Sequence, residues 1–122
     1  MSRVLIVDDT AFMRKLLKNI LFGAGFDIAG EAENGKQAVE LYKTLKPDIV
    51  TMDVVMPEMT GIDALKQIKF IDKDAKVVMC TAIGQEKIVT TAIKLGARGY
   101  IIKPFQAPKV IEEIKKVIGN KA

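Results

Sequence analysis

Five short apolar runs, each followed by a segment of helical period, leave this chain few ways to fold. Val4-Leu5-Ile6-Val7, Phe26-Asp27-Ile28-Ala29, Ile49-Val50-Thr51-Met52, Val77-Val78-Met79-Cys80 and Tyr100-Ile101-Ile102 read as strands. The first is a continuous β-branched run of the kind buried on both faces of a sheet; the second is weaker. Between and after them, apolar residues recur at helical spacing: Met13, Leu16, Leu17, Ile20 and Leu21; Ala38, Leu41, Tyr42 and Leu45; Ile62, Leu65 and Ile68; Ile88, Ala92 and Leu95; Val110, Ile111, Ile114, Val117 and Ile118. Thr10 is placed to cap the first helix, Asn34-Gly35-Lys36 reads as a turn and cap, and Pro47 closes the second helix. Gly23 and Gly25, Gly96 and Gly119 stop three others. Strict βα alternation with apolar strands requires a parallel sheet with helices on both faces: an α/β, doubly wound domain spanning residues 1–122.

Composition narrows the chemistry. The 122 residues include no His and one Cys, Cys80. Ser-His-Asp and Cys-His catalysis, imidazole zinc sites and an internal disulfide are thereby excluded. Cys80 reads as an inert, buried small hydrophobe. Lys and Arg outnumber Asp and Glu 19 to 15, but the lysines are scattered and no aromatics lie among them, so no nucleic-acid partner is expected. No apolar stretch nears the roughly 20 residues of a membrane span. Asp8-Asp9 follow so soon after Met1 that no signal peptide is expected either, and the chain reads as cytoplasmic.

The informative residues stand where the apolar runs stop. Asp8-Asp9 follow the first run, Asp53 the third, Thr81 the fourth and Lys103 the fifth. In a parallel sheet these strand ends share one rim, where ligands of such sheets gather. Asp8-Asp9 alone reads equally well as a helix cap, but polar groups closing four separate strands do not. Clustered carboxylates either take up protons or bind a cation. An all-oxygen donor set without imidazole or thiolate points to Mg²⁺, Ca²⁺ or Mn²⁺, and Mg²⁺ fits best because it takes one or two carboxylates and completes its shell with water and phosphate. Lys103 and Thr81 then supply a positive charge and a hydroxyl donor for phosphate oxygens. Asp53, central in the set, has the chemistry of a nucleophile that forms an acyl phosphate.

These motifs resemble the receiver domains of two-component response regulators, and among them the single-domain chemotaxis CheY type. The residues that carry the resemblance are Val7-Asp8-Asp9, Met52-Asp53-Val54-Val55-Met56-Pro57 with Gly61, Thr81-Ala82 and Lys103-Pro104-Phe105. The resemblance implies a flavodoxin-like, five-stranded parallel sheet of order 2-1-3-4-5 flanked by five helices; the order is taken from the family. It implies that Asp53 accepts a phosphoryl group from a histidine kinase, and that Asp9, Asp53 and the main-chain carbonyl of Val55 ligate Mg²⁺, with Mn²⁺ as a possible substitute. Asp8 is similar to an outer carboxylate that holds a metal-bound water. Lys103 is similar to the lysine that pairs with phosphate, Thr81 to the hydroxyl that swings onto it, and Tyr100 to an aromatic switch that follows Thr81. The Lys103-Pro104 bond resembles one that is cis in the family.

The implied function is a phosphorylation-dependent switch, not an enzyme, that binds an output protein such as a motor switch or adaptor in chemotaxis and is served by a kinase and possibly a phosphatase. A phosphorelay shuttle to a histidine phosphotransfer protein is the alternative. A haloacid-dehalogenase-type phosphatase requires an acid two residues after its nucleophile, where this chain has Val55. Family members often carry polar residues at positions 55 and 83; Val55 and Ile83 here imply a long-lived phosphoryl group. No output domain is expected after the last helix. The six methionines read mostly as packing, with Met56 and Met59, on the turn after Asp53, as the two candidates for exposure to a partner.

Overall fold

The computed structural model describes residues 2–119, so Met1 and residues 120–122, the ends of the expected domain, lie outside the described residues. Five strands and five helices alternate: β1 (Arg3–Val7), α1 (Ala11–Gly23), β2 (Asp27–Ala32), α2 (Gly35–Leu45), β3 (Ile49–Asp53), α3 (Gly61–Ile71), β4 (Val77–Ala82), α4 (Glu86–Lys94), β5 (Gly99–Lys103) and α5 (Ala107–Ile118). The sheet is parallel throughout, in the order β2-β1-β3-β4-β5. No described helix is long and apolar enough to cross a membrane.

The two-residue period of a strand divides the core into two layers. Leu5, Val7, Val50, Met52, Val77 and Met79 face α2, α3 and Ala92 of α4. Val4, Ile6, Ile49, Val78, Cys80 and Ile101 face the other way, onto Leu17 and Leu21 of α1 and Val110, Ile114 and Val117 of α5. Each such aliphatic side chain contributes about 1.5–3 kcal/mol by leaving water. With helices on both faces, β1, β3 and β4 need no polar side, which is why they read as apolar runs, broken inside only by Thr51 of β3.

Local sequence accounts for most element ends. Asn34 caps α2 by accepting the Gln37 amide at 2.8 Å, and the Gln37 side chain accepts the Glu33 amide at 2.9 Å. Thr60 caps α3 through the Asp63 amide at 3.2 Å. Thr10 stands at the start of α1, but its hydroxyl bonds the Asp8 carboxylate at 3.0 Å and makes no cap. A carboxylate is the stronger acceptor and draws the hydroxyl away from the helix amides.

Three further expectations change. The second strand begins one residue later than the apolar run and continues through Gly30-Glu31-Ala32, because pairing with β1, with an irregularity between Val4 and Leu5, carries it past the apolar residues. Met56 is buried and Met59 packs against the core, because the turn after β3 folds back over α2 and α3; neither is the exposed partner contact expected. On β5, Tyr100 and Ile102 are each 47% exposed. β5 is an edge strand covered by α5 on one face, while its other face lines an open cavity of about 670 Å³ beside α4.

One core residue is at odds with its surroundings. Thr51, in the middle of β3, is fully buried and its hydroxyl finds no hydrogen-bond partner among the protein atoms. Thr51→Val keeps the shape and removes the unpaired group, so it is expected to raise stability by about 1 kcal/mol in urea unfolding. A variant no more stable than the parent would contradict this.

Candidate functional site

The parallel sheet places the carboxyl ends of β1, β3, β4 and β5 on one rim, and the polar residues that end these strands meet there. Asp8 and Asp53 are buried and Asp9 is exposed, yet each offers a carboxylate oxygen within 4.8 Å of the others. Lys103 reaches across from β5, with its Nζ 2.8 Å from Asp8 Oδ2 and 3.4 Å from Asp53 Oδ1. The Lys103-Pro104 peptide is cis.

Asp8 is held on every side. Its Oδ1 accepts the Thr10 amide and hydroxyl, both at 3.0 Å, and its Oδ2 accepts Lys103. Its main-chain carbonyl accepts Arg14 Nη1 at 2.7 Å. Arg14 in turn is fixed by Glu31 of β2 at 3.1 Å, and Lys18 takes the other Glu31 oxygen at 2.8 Å. The bond to Lys18 holds the Glu31 carboxyl below the usual range against its partial burial, and Arg14 adds to the effect.

Asp53 is fixed by backbone. The Val54 amide bonds the Cys80 carbonyl at 3.1 Å and the Gly61 amide bonds the Val54 carbonyl at 3.0 Å. Gly61 lies so close to β3 that a Cβ there would run into the Asp53 carbonyl. Glycine is required at that position by contact, as the first residue of α3.

Burial raises the Asp53 carboxyl to about 6; Lys103 opposes that rise and the Asp8 charge adds to it. For Lys103, burial works to lower the ammonium, but the hydrogen bond it donates to Asp8 and the charges of Asp53 and Asp8 outweigh it and leave the group above its ordinary value. Two buried carboxylates and a third at the rim against one ammonium form an acidic pocket with spare negative charge. All its donors are hard oxygens, which suits a cation such as Mg²⁺.

Thr81 is buried at the end of β4, one residue past the Cys80–Asp53 pairing. Its hydroxyl lies 2.9 Å from the Gln85 side-chain oxygen. Tyr100 lies on the neighbouring strand and lines the same cavity as Thr81. Val55 and Ile83 are exposed, at 58% and 78%. Cys80 is buried, and burial pushes its thiol up, which suits an inert side chain. Sequence reasoning missed Gln85; the signal available was an amide side chain four residues after Thr81 at the start of a helix.

The raised Asp53 carboxyl has a consequence for stability. Its folded value of about 6 lies above the ordinary 3.8, so its contribution to stability is full below the ordinary value and is lost as pH rises through about 6. With a chelator present, Asp53→Asn is therefore expected to be about 1–3 kcal/mol more stable than the parent above pH 7, the gap closing by pH 4. Chemical denaturation across that range measures it, and a gap that does not change with pH would refute the account.

Comparison with known proteins agrees with this geometry. Residues 4–115 match the response regulator receiver domain family. The chemotaxis protein CheY of Thermotoga maritima is 60% identical over 116 residues, covering 95% of this chain and 97% of that protein. CheY of Bacillus subtilis is 57% identical over the same shares. Among solved structures, a CheX–CheY–BeF3–Mg²⁺ complex from Borrelia burgdorferi superposes with a TM-score of 0.92 at 41% identity, covering 95% of this chain and 88% of that one. A parallel sheet of order 2-1-3-4-5, an acidic pocket faced by a lysine and a family match along nearly its whole length make this chain a member of the response regulator receiver domain family.

Proposed function

We propose that this chain is one receiver unit, residues 1–122, acting as a phosphorylation-dependent switch in chemotaxis signalling in the cytoplasm. The observation that carries the reading is the meeting of Asp53 with Asp8, Asp9 and the Lys103 ammonium in one pocket. Asp53 is the phosphoryl acceptor. Its carboxylate is largely ionised near pH 7.5, as a nucleophile must be. A carboxylate oxygen attacks the phosphorus of a phosphohistidine on a chemotaxis-type histidine kinase; the P–N bond breaks, the electron pair leaves with the imidazole nitrogen, and an acyl phosphate forms.

Lys103, already 3.4 Å from Asp53 Oδ1, pairs with the anionic oxygens of the incoming group. Asp8, held by Thr10 and Lys103, keeps the ammonium aimed. Asp9, Asp53 and the Val55 main-chain carbonyl would hold Mg²⁺, with Asp8 as an outer carboxylate; the ion, or Mn²⁺ in its place, would neutralise the carboxylates and the phosphoryl oxygens. Thr81 donates its hydroxyl to the modified side chain, and Tyr100 responds through the cavity the two share. The signal then passes by contact to an output protein, a motor switch or adaptor, and a phosphatase partner ends it. The presence of CheX with CheY in the Borrelia complex supports a partner of that kind.

Two experiments test this. Incubation with acetyl phosphate or a phosphorylated kinase and Mg²⁺ is expected to label the parent and not Asp53→Asn; equal labelling of the variant would overturn the assignment. The second concerns lifetime. The side chains of Val55 and Ile83 neither donate nor accept a hydrogen bond, so neither orders a water for attack on the acyl phosphate. Both are exposed and can be exchanged without touching the core. The Val55→Asn, Ile83→Glu double variant is expected to lose label about tenfold faster than the parent in excess Mg²⁺. Equal decay would rule out control by this apolar flank.

A further inference from the structure

Gln85 closes a small ring at the end of β4. Its Oε1 lies 2.9 Å from the Thr81 hydroxyl and 2.9 Å from the Ala82 amide. An amide N–H can only donate, so the Gln85 atom facing it is the oxygen, and the Thr81 hydroxyl must donate to that oxygen too. The loop permits this because Gly84 takes φ +97°, a conformation that side chains disfavour, and the Gln85 amide turns back to the Ala82 carbonyl at 3.3 Å. Gln85 itself stands at the start of α4, where its main-chain carbonyl accepts the Ile88 and Val89 amides.

A hydroxyl and the next main-chain amide converging on one oxygen form a seat suited to an anionic oxygen. Here a neutral side chain of the same molecule fills it. Thr81 has a single hydroxyl proton, so it cannot donate to Gln85 and to a modified Asp53 at once.

Resting on the reading of Asp53 and Thr81 above, we infer that Gln85 is a positioning residue that latches the Thr81 hydroxyl and the Ala82 amide in the resting state and is displaced by the phosphoryl oxygen. A charged acceptor forms the stronger hydrogen bond, so the phosphoryl group wins the competition. The latch sets how readily the switch is thrown. Its release frees the Gln85 side chain into the cavity that Thr81 and Tyr100 also line, and loosens the tie between β4 and α4.

The test uses the full chain, with beryllofluoride and Mg²⁺ as the probe and binding followed by NMR at the Ala82 amide. Gln85→Met keeps the length and helix propensity of the side chain but removes the acceptor. It is expected to bind the probe about 2–10-fold more tightly than the parent, the range a lost resting-state hydrogen bond provides. Gln85→Glu keeps an acceptor and is expected to bind no more tightly than the parent. In a Thr81→Val background the gain from Gln85→Met is expected to shrink. A merely structural role would weaken binding in both variants and would not depend on Thr81. Gln85→Met binding no tighter than the parent, or a gain undiminished in Thr81→Val, overturns the latch while leaving the Asp53 reading intact. A parent that binds no more tightly than Asp53→Asn removes that reading and the latch with it.

Discussion

One ammonium bridges two of the three carboxylates at the rim of this sheet. Lys103 lies within reach of both Asp8 and Asp53, and without it β1 and β3 would end in like charges only a few ångströms apart. The pairing is incomplete, as one positive charge faces three negative ones. Burial and the Asp8 charge leave Asp53 hard to ionise. The fold thus carries a standing electrostatic deficit at the point where its chemistry is proposed, and tolerates it because two apolar layers on either side of the sheet hold the strands in place. A pocket that is uncomfortable when empty of cations is one that gains most from a cation or a shift of protons.

Around that deficit the structure divides its labour. The β1–α1 and β3–α3 loops are fixed by several hydrogen bonds: Thr10 and Arg14 on Asp8, the Val54 amide on the Cys80 carbonyl, and the Gly61 amide on the Val54 carbonyl. The β4–α4 side is looser. The Thr81 hydroxyl has the Gln85 side-chain oxygen at 2.9 Å and otherwise only its neighbour's carbonyl, Ala82, at 3.3 Å, and beyond it β5 shows half of Tyr100 and Ile102 to water. A rigid wall beside a displaceable one is the arrangement a two-state element needs, since a change at the rigid side can be relieved only at the other.

Much of this was legible in the sequence. The apolar runs gave away β1, β3 and β4 nearly to the residue, because a strand covered on both faces has few polar positions to blur it, and β5 as well, because its open face carries Tyr100 and Ile102 rather than charges. The polar residue closing each of four runs located the pocket, since parallel strands bring those ends together. Strand order came from resemblance, because nothing in a run of valines says which neighbour it pairs with. The remaining differences each came from a contact that the pattern of apolar and capping residues does not report. β2 extends through Gly30 and Glu31 because β1 offers partners. Met56 is buried by the return of its own turn. Thr10 is drawn from its helix by Asp8. Gln85 belongs to no motif, and its position four residues after Thr81 meets the hydroxyl through the turn at Gly84.

Gly61 shows how such a site can be guarded by a residue with no functional group. The first turn of α3 rests directly on the carbonyl of Asp53, and the spacing between them is the width of a glycine. Any side chain at this position must push either the helix or the strand that carries the acidic pocket. In a mutational survey the position would therefore score with the charged residues of the site, although it touches neither metal nor phosphate. Its phenotype would be one of misplaced geometry, in which every reactive group is present and none is where it should be.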